Sequence, residues 1–447
     1  MANSYLSRTF SGSPTMTTFT VSFWMKRSAI SATQRLISAR VDGNNESTFF
    51  ISSADKFYVS QTVGGATKCD IHTNRVFRDP SAWYNIVVQK NTTLATANDR
   101  VKIWVNGVEE TDLTRSTAQV QNEEDFFLKS TATNEIGRRP SNNDQHFDGY
   151  LSHFSVVQGS VVAPTSFGET DSTSGIWKFK SPSGVTWGTN GFHLKFENAG
   201  AIGTDSSGNS QTWTGGGNLK QALDTPSNVY ATLNAIQESP ANNSLSNGNT
   251  TSTNDGSASG HKLRVATLGA SSGKWYMEAK LPNGGSDYAW CGIISYDDFN
   301  NPDTYMGSSQ NSISYGNGGT VIRNDSVLSA TGTVPTIGGS TILQVALDLD
   351  NNFVYFGIDG TYVNSGNPTS GGSGTGGYSI NFSAGKTYTF GVSGQNTGAS
   401  WNCNFGNGFF GTTAITSAGS NGNGSLFEYD VPSGYYALNT KNINTYG

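Results

Sequence analysis

Two widely separated stretches share a pattern that few folds accommodate: "VKIWVNG" at Val101 to Gly107 and "VYFGIDG" at Val354 to Gly360. In the first, Val101, Ile103 and Val105 fall on one face and Lys102 and Trp104 on the other. In the second, Val354, Phe356 and Ile358 alternate with Tyr355 and Gly357. A period of two is the signature of a β-strand. The Asn-Gly or Asp-Gly pair that ends each strand supplies the positive φ angles of a tight hairpin turn. Upstream lie two further alternating strands, Tyr84, Ile86 and Val88 of "WYNIVVQ" and Val345, Leu347 and Leu349 of "QVALDLD". Each is expected to pair with its "VNG" or "IDG" neighbour, so one such core is predicted in each half of the chain.

A chain of 447 residues exceeds what one core usually supports, which predicts two domains. Charged residues make up 13 %, near half of the about 25 % usual in soluble domains. Ser, Thr, Asn and 54 glycines take their place. That composition suits many short strands joined by polar turns and is poor in helix formers. The expected fold class is therefore all-β, with two antiparallel sandwiches and very little helix.

The net charge of −6 and the lack of a Lys/Arg cluster beyond Arg138-Arg139 argue against a nucleic-acid partner. The chain has no apolar run long enough to cross a bilayer, and "MANSYLSRTFSGSPT" lacks the basic start and apolar block of a secretory signal. The expectation is a protein made and folded in a cytoplasm without membrane insertion. Cys69, Cys291 and Cys403 are widely spaced, which points to free, buried thiols rather than disulfides or zinc.

In the first half, "FTVSFWMK" reads as a central strand with Phe19, Val21, Phe23 and Met25 on one face. "RLISARV", "STFFISS", "FYVSQTV" and the two strands named above follow, and "GFHLKFEN" closes the set. Alternation stops in a Gly/Ser/Asn/Thr-rich stretch from Gly203 to Asn228. The first domain is accordingly placed at residues 1–215, a linker at 216–229 and the second domain at 230–447. The second half resumes with "NVYATLNAIQ", a polar stretch from Asn242 to Ser259, and "SGKWYMEAKLPNGGSDYAWCGIIS". "NSGNPTSGGSGTGG" reads as a long flexible loop, and "FEYDVPSGYYALNTKNINTYG" as a C-terminal tail.

These residues carry resemblances. "FTVSFWMK", "WYNIVVQK", "VKIWVNG" and "IGRRPSNNDQHFDGYLSHFSVV" in that order resemble the concanavalin A-like lectin/glucanase jelly rolls, in their laminin-G-like branch. "GKWYMEA", "CGIIS", "VALDLDNNFVYFGIDG" and "CNFGNG" resemble a SPRY domain. Joining phrases such as "FRDPSAWYNIVV" and "DTPSNVYATLN" are similar to those of virion proteins of tailed phages of marine and other aquatic bacteria. The resemblance implies a virion surface protein assembled in the host bacterial cytoplasm. Its implied partners are other virion proteins and a host cell-surface glycan or protein.

A glucanase of this class needs Glu-x-Asp-x-(x)-Glu along one strand face, whereas "QNEEDFFLKS" offers Glu123, Glu124 and Asp125 and then Phe126, Phe127 and Leu128. An exposed acidic patch is the plainer account. With no GxSxG, HExxH or P-loop, no catalytic residue is assigned and a non-enzymatic protein is expected. Laminin-G-like domains can hold calcium at a rim, and Asn142, Asn143, Asp144 and Asp148 cluster in one loop, although turn capping is the plainer account of them. No other cofactor or metal is implied. Trp83, Trp104, Trp177, Trp187, Trp290 and Trp401 are candidate sugar platforms, with packing as the default role of each. In SPRY domains the ligand surface is built from loops at one end, which here singles out "YDDFNNPDTYMGSSQ" and "NSGNPTSGGSGTGG", with Tyr296, Phe299 and Tyr305 as the contact candidates.

Three function classes follow: a short fibre or appendage adhesin, a capsid or tail decoration or adaptor protein, and, remotely, a polysaccharide hydrolase. Shallow sites bind weakly alone, so a homo-oligomer, a trimer or a particle-anchored array, is expected.

Overall fold

The computed structural model describes residues 3–140, 143–237, 242–254, 260–282, 288–299, 301, 303–329, 334–339, 341–380, 385–395 and 397–447. The chain is all-β and divides into two compact units, Met1–Ser227 and Asn228–Gly447. The α-helix among the described residues is the short Thr440–Tyr446.

The first unit packs an eight-stranded sheet against a six-stranded one. Central in the smaller sheet is Thr18–Arg27, flanked by Tyr84–Asn91 and Gly149–Gln158. Phe19, Val21, Phe23 and Met25 enter the core between the sheets with Phe49, Phe57, Ile86, Ile103 and Phe154. The opposite face is closed as well: Thr20, Ser22, Trp24 and Lys26 are buried. Part of the cover is the segment around Phe167 and Trp187, which packs on Val87 and Val157. Strand alternation alone does not reveal this, because the covering residues come from far along the chain.

The expected linker is largely part of this unit. Thr214–Gly216 pairs with Tyr5–Ser7 at the sheet edge. Asp224 is buried, its carboxylate 2.6 Å from Lys26 Nζ and 2.8 Å from Trp83 Nε1. An aspartate read as a linker residue therefore neutralises a buried lysine, and the division falls after Ser227.

The second unit packs a nine-stranded sheet against a six-stranded one. Its core holds Trp275, Met277, Val345, Leu347, Val354, Phe356, Phe390 and Trp401. The polar stretch after Asn242 forms a hairpin, Asn243–Ser246 with Thr251–Asn254. Its strands are held partly by side-chain amides, Asn243 Nδ2 donating to Asn254 Oδ1 at 2.8 Å. "NVYATLNAIQ", with which this half resumes, makes isolated bridges at Tyr230 and Leu233. The residues read as a tail are structural: Phe427, Val431 and Tyr435 are each 1 % exposed. The Gly/Ser loop is folded on itself as well, with Asn367 N–H donating to Thr375 O at 2.9 Å and Thr375 N–H to Ser370 Oγ at 2.9 Å.

The repeated corner is built the same way in both units. Val101–Val105 pairs with Tyr84–Asn91, and Phe353–Ile358 with Ile342–Asp348. The turn residues have φ of 49° and 77° at Asn106 and Gly107, and 47° and 86° at Asp359 and Gly360. Each turn side chain accepts the N–H that opens the preceding strand, Asn85 to Asn106 Oδ1 and Ile342 to Asp359 Oδ1, both at 2.8 Å. An aromatic ring then caps each glycine. A Cβ would lie 2.4 Å from Trp177 at Gly107 and 2.9 Å from Tyr429 at Gly360.

Candidate ligand-binding face

In the first unit the outward face of the six-stranded sheet is covered, whereas much of the outward face of the eight-stranded sheet is half-exposed. There four neighbouring strands each contribute one planar side chain in register: Arg35 faces Phe50, Phe50 faces Tyr58, and Tyr58 faces His72. The Arg35 guanidinium lies 4.5 Å from the Phe50 ring centre. Phe50 stacks on Tyr58 at 4.7 Å and Tyr58 on His72 at 4.3 Å. Cross-strand aromatic pairs of this kind stabilise a sheet. Beside this row runs a second, polar one, in which Ser38, Thr48, Ser60 and Asp70 are aligned by the same pairing.

The loop after Ile136 leans over one end of this face. Arg35 Nε donates to Gln145 Oε1 at 2.7 Å, and Arg40 and Arg139 both reach Glu46 Oε2, at 3.1 and 3.2 Å. Glu135 is held by Arg138 through two bonds of 2.7 Å. Burial pushes the Arg35 guanidinium down to about 10, while Glu46 and Asp144 favour its charge. His72 is held below its usual value by burial and by Lys56, which keeps the ring neutral.

Hydrogen-bonding capacity is left over here. Glu46 Oε1, Asp70 Oδ1, His72 Nδ1, Arg139 Nε and Asp144 Oδ1 are buried without a hydrogen-bond partner. Buried polar atoms are paired in over about 90 % of cases. These atoms are enclosed and are not presented to a ligand directly; what the face offers at its surface is the half-buried rings of Phe50, Tyr58 and His72 with the half-buried Ser60 and Asp70 beside them.

The structure places the sequence-derived candidates as follows. Asn142 lies outside the described residues. Asn143 is exposed at the loop tip, and its carbonyl lies 3.0 Å from His146 Nε2. Asp144 reaches the face described above and lies near Arg35 and Arg139. Asp148 is set back; its carbonyl accepts Ser28 N–H at 2.9 Å, and burial raises its carboxyl. Among the described residues no group of three or more His, Cys, Asp or Glu could hold a metal ion. The arginines beside Asp144 disfavour a dication there.

In the second unit Tyr296, Phe299 and Met306 lie on the outward face of the six-stranded sheet rather than standing off one end. Met306 is pinned there, its N–H donating to Ser393 Oγ at 3.0 Å and its carbonyl accepting from Ser314 Oγ at 2.6 Å. Tyr296 and Phe299 pack against Leu263, Val265, Ile294 and Met306, so they are packing groups. Tyr305 alone of the three stands in an aromatic cluster at the surface, 5.7 Å from Trp290 and 4.9 Å from His261, with its hydroxyl donated to Asp325.

The tryptophans sort the same way. Trp83, Trp104, Trp177 and Trp401 give their Nε1–H to Asp224, Gln89, Asn85 and Ser393 and pack. Trp187 stacks on His193. Trp290 is half-buried and its Nε1 has no partner. Asp125, expected in an exposed acidic patch, is 1 % exposed and lies 2.6 Å from the buried Lys90 Nζ. Only Glu123 and Glu124 are at the surface, facing Lys68 and Lys129. The three cysteines are free and buried, and no helix among the described residues is long and apolar enough to cross a membrane.

Sequence reasoning missed Arg35, Phe50, Tyr58, Asp70 and His72. A signal existed in "FYVSQTV", where Tyr58 shares a face with Ser60 and Thr62: an aromatic on a polar strand face.

No curated protein matches the chain. Among solved structures, the SPRY domain of human HERC1 is 14 % identical, covering 36 % of this chain and 91 % of that one with a TM-score of 0.28. The TRIM65 PSpry domain is 13 % identical over 39 % and 91 %, with a TM-score of 0.29. Domain 4 of AbnA, an extracellular arabinanase from Geobacillus stearothermophilus in complex with arabinotriose, is 16 % identical over 33 % and 64 %, with a TM-score of 0.26. At such scores these likenesses carry no argument about function. Residues 3–165, which build the half-exposed face, match the family model of the concanavalin A-like lectin/glucanases superfamily.

Proposed function

We propose that the chain is a non-catalytic binding protein of a virus particle, and that the half-exposed face of its first unit takes a neutral glycan of the host cell surface. The observation that carries this is the Arg35–Phe50–Tyr58–His72 row with the half-buried polar side chains of Ser60 and Asp70 beside it. Aromatic and polar groups together are what sugar recognition requires: apolar contact for the ring faces, donors and acceptors for the hydroxyls. The absence of catalysis is supported by the state of the acids, since Glu46 and Glu135 are tied to arginines. The particle setting rests on the resemblance of the joining phrases, and free buried thiols suit folding in a reducing compartment. Presentation as a homo-oligomer would convert weak single sites into useful avidity.

Affinity electrophoresis of the full chain through gels containing soluble host-surface polysaccharide tests this. Retardation is expected, with loss in Tyr58→Ala and no release of reducing ends. A second reading, a particle-stabilising decoration protein, is favoured by Val108 and Ile176, 68 % and 66 % exposed and next in sequence to Gly107 and Trp177 at the first corner. It is preferred if host adsorption is unchanged by Tyr58→Ala while Val108→Ser with Ile176→Ser releases the protein from particles.

A further inference from the structure

We propose that the first unit also contains a cleft that takes a small amphiphile carrying one carboxylate, separate from the glycan face. The site arises where Gly149–Gln158 loses its outer neighbour. Phe192–Leu194 pairs only with Phe154, Ser155 and Val156, so Gly149 to His153 runs as a sheet edge. The neighbouring chain turns away at Phe196, whose φ is 63°, and residues 219–225 return to close the gap. Between them lies a cavity of about 360 Å³.

Its walls are mainly apolar, with Leu6, Ile136, Phe147, Leu151, Phe196 and Leu219 among them. A volume of about 300–1,000 Å³ is the range of small-ligand sites. At roughly 30 Å³ per water-sized group, the space suits a chain of about ten carbons.

The charges at its wall select the head group. Asp224 is already neutralised by Lys26 at 2.6 Å and hydrogen-bonded by Trp83 at 2.8 Å. Lys195 meets only the 68 % exposed Glu197, at 3.4 Å. Lys220 is exposed at the rim and has no ion-pair partner among the described residues. An ammonium free to swing over the mouth of an apolar cleft favours a carboxylate head, held at the rim, over a neutral or cationic one.

Calorimetric titration of the full chain with decanoate, with decyltrimethylammonium as the cationic control, tests the site. One decanoate is expected to bind per chain, about tenfold more weakly in Lys220→Glu, and not at all in Leu151→Trp, where the indole would fill the chamber. The cation should bind at least about tenfold more weakly than decanoate. No saturable heat with decanoate, equal binding of the two amphiphiles, or an unchanged Lys220→Glu would each overturn the proposal. If Leu151→Trp does not fold, as judged by circular dichroism, the surface variant and the cationic control decide alone.

Discussion

Gly107 and Gly360 face two constraints at once, a left-handed backbone and a ring on the spot a Cβ would occupy. Gly64 meets only the first: its φ is 57° and nothing lies within 4 Å of its Cβ position. Alanine at Gly64 should cost about 1–2 kcal/mol, and alanine at Gly107 roughly 2–4 kcal/mol because Trp177 must move as well. Urea midpoints measure the difference, and equal shifts would show that the ring contact adds nothing. Buried titratable groups give the two units opposite responses to pH. His193, 3 % exposed, is held down to about 4 by burial and Lys195. A lowered histidine favours folding while neutral, so its contribution is present above about 6.5 and shrinks as pH falls, a loss of about 2 kcal/mol by pH 5. Glu278 is the converse. It accepts Glu428 N–H and Tyr429 N–H at 2.8 Å each, yet burial outweighs these bonds and pushes it up to about 7. Its contribution is full below about 4.5 and is lost as pH rises through 7, on the order of 1–3 kcal/mol. Unfolding followed from pH 5 to 8 should show these slopes, with His193→Gln and Glu278→Gln each removing its own.

At the scale of elements, what was legible depended on where the information lies. "VKIWVNG" announces its strand, its inward face and its turn within seven residues, and the structure keeps all three. The hairpin Asn243–Ser246 with Thr251–Asn254 was hidden because its strands are nearly all Asn, Ser and Thr. The stacked row was hidden because it takes one residue from each of four strands. Register shifts beside Arg35 and Tyr58 set which residues meet, and these come from pairing rather than local pattern. The acid cluster was misplaced for a related reason: Asp125 is buried because a distant strand brings Lys90 beneath it. Removing one partner of such a pair leaves a bare charge, so Lys90→Met should cost roughly 3–5 kcal/mol, whereas Lys90→Met with Asp125→Leu should recover most of it. Thermal unfolding of the single and double variants checks this. A double variant as unstable as the single would mean that the charges themselves are needed.

The whole molecule repeats one plan. Each unit has a sandwich core, a corner glycine under an aromatic ring, and a late segment that buries the outward face of one sheet, through Phe167 and Trp187 in the first unit and Phe427 and Tyr435 in the second. Residues 1–227 and 228–447 each carry a complete core. Produced separately, each should unfold in one cooperative transition, and a fragment lacking one would show that its core is incomplete. What distinguishes the first unit is the sheet face left half-exposed, where Tyr58 stands between Phe50 and His72 and Asp70 is aligned with Ser60 beside them. The most direct measurement is the affinity of the full chain for soluble host-surface polysaccharide, compared with Tyr58→Ala and Asp70→Asn and with Tyr305→Ala as a control in the other unit. Binding weakened about tenfold or more by each change on the face, and unaltered by the control, is the predicted result. Absence of binding by the unaltered protein, or equal binding by all four, would contradict it.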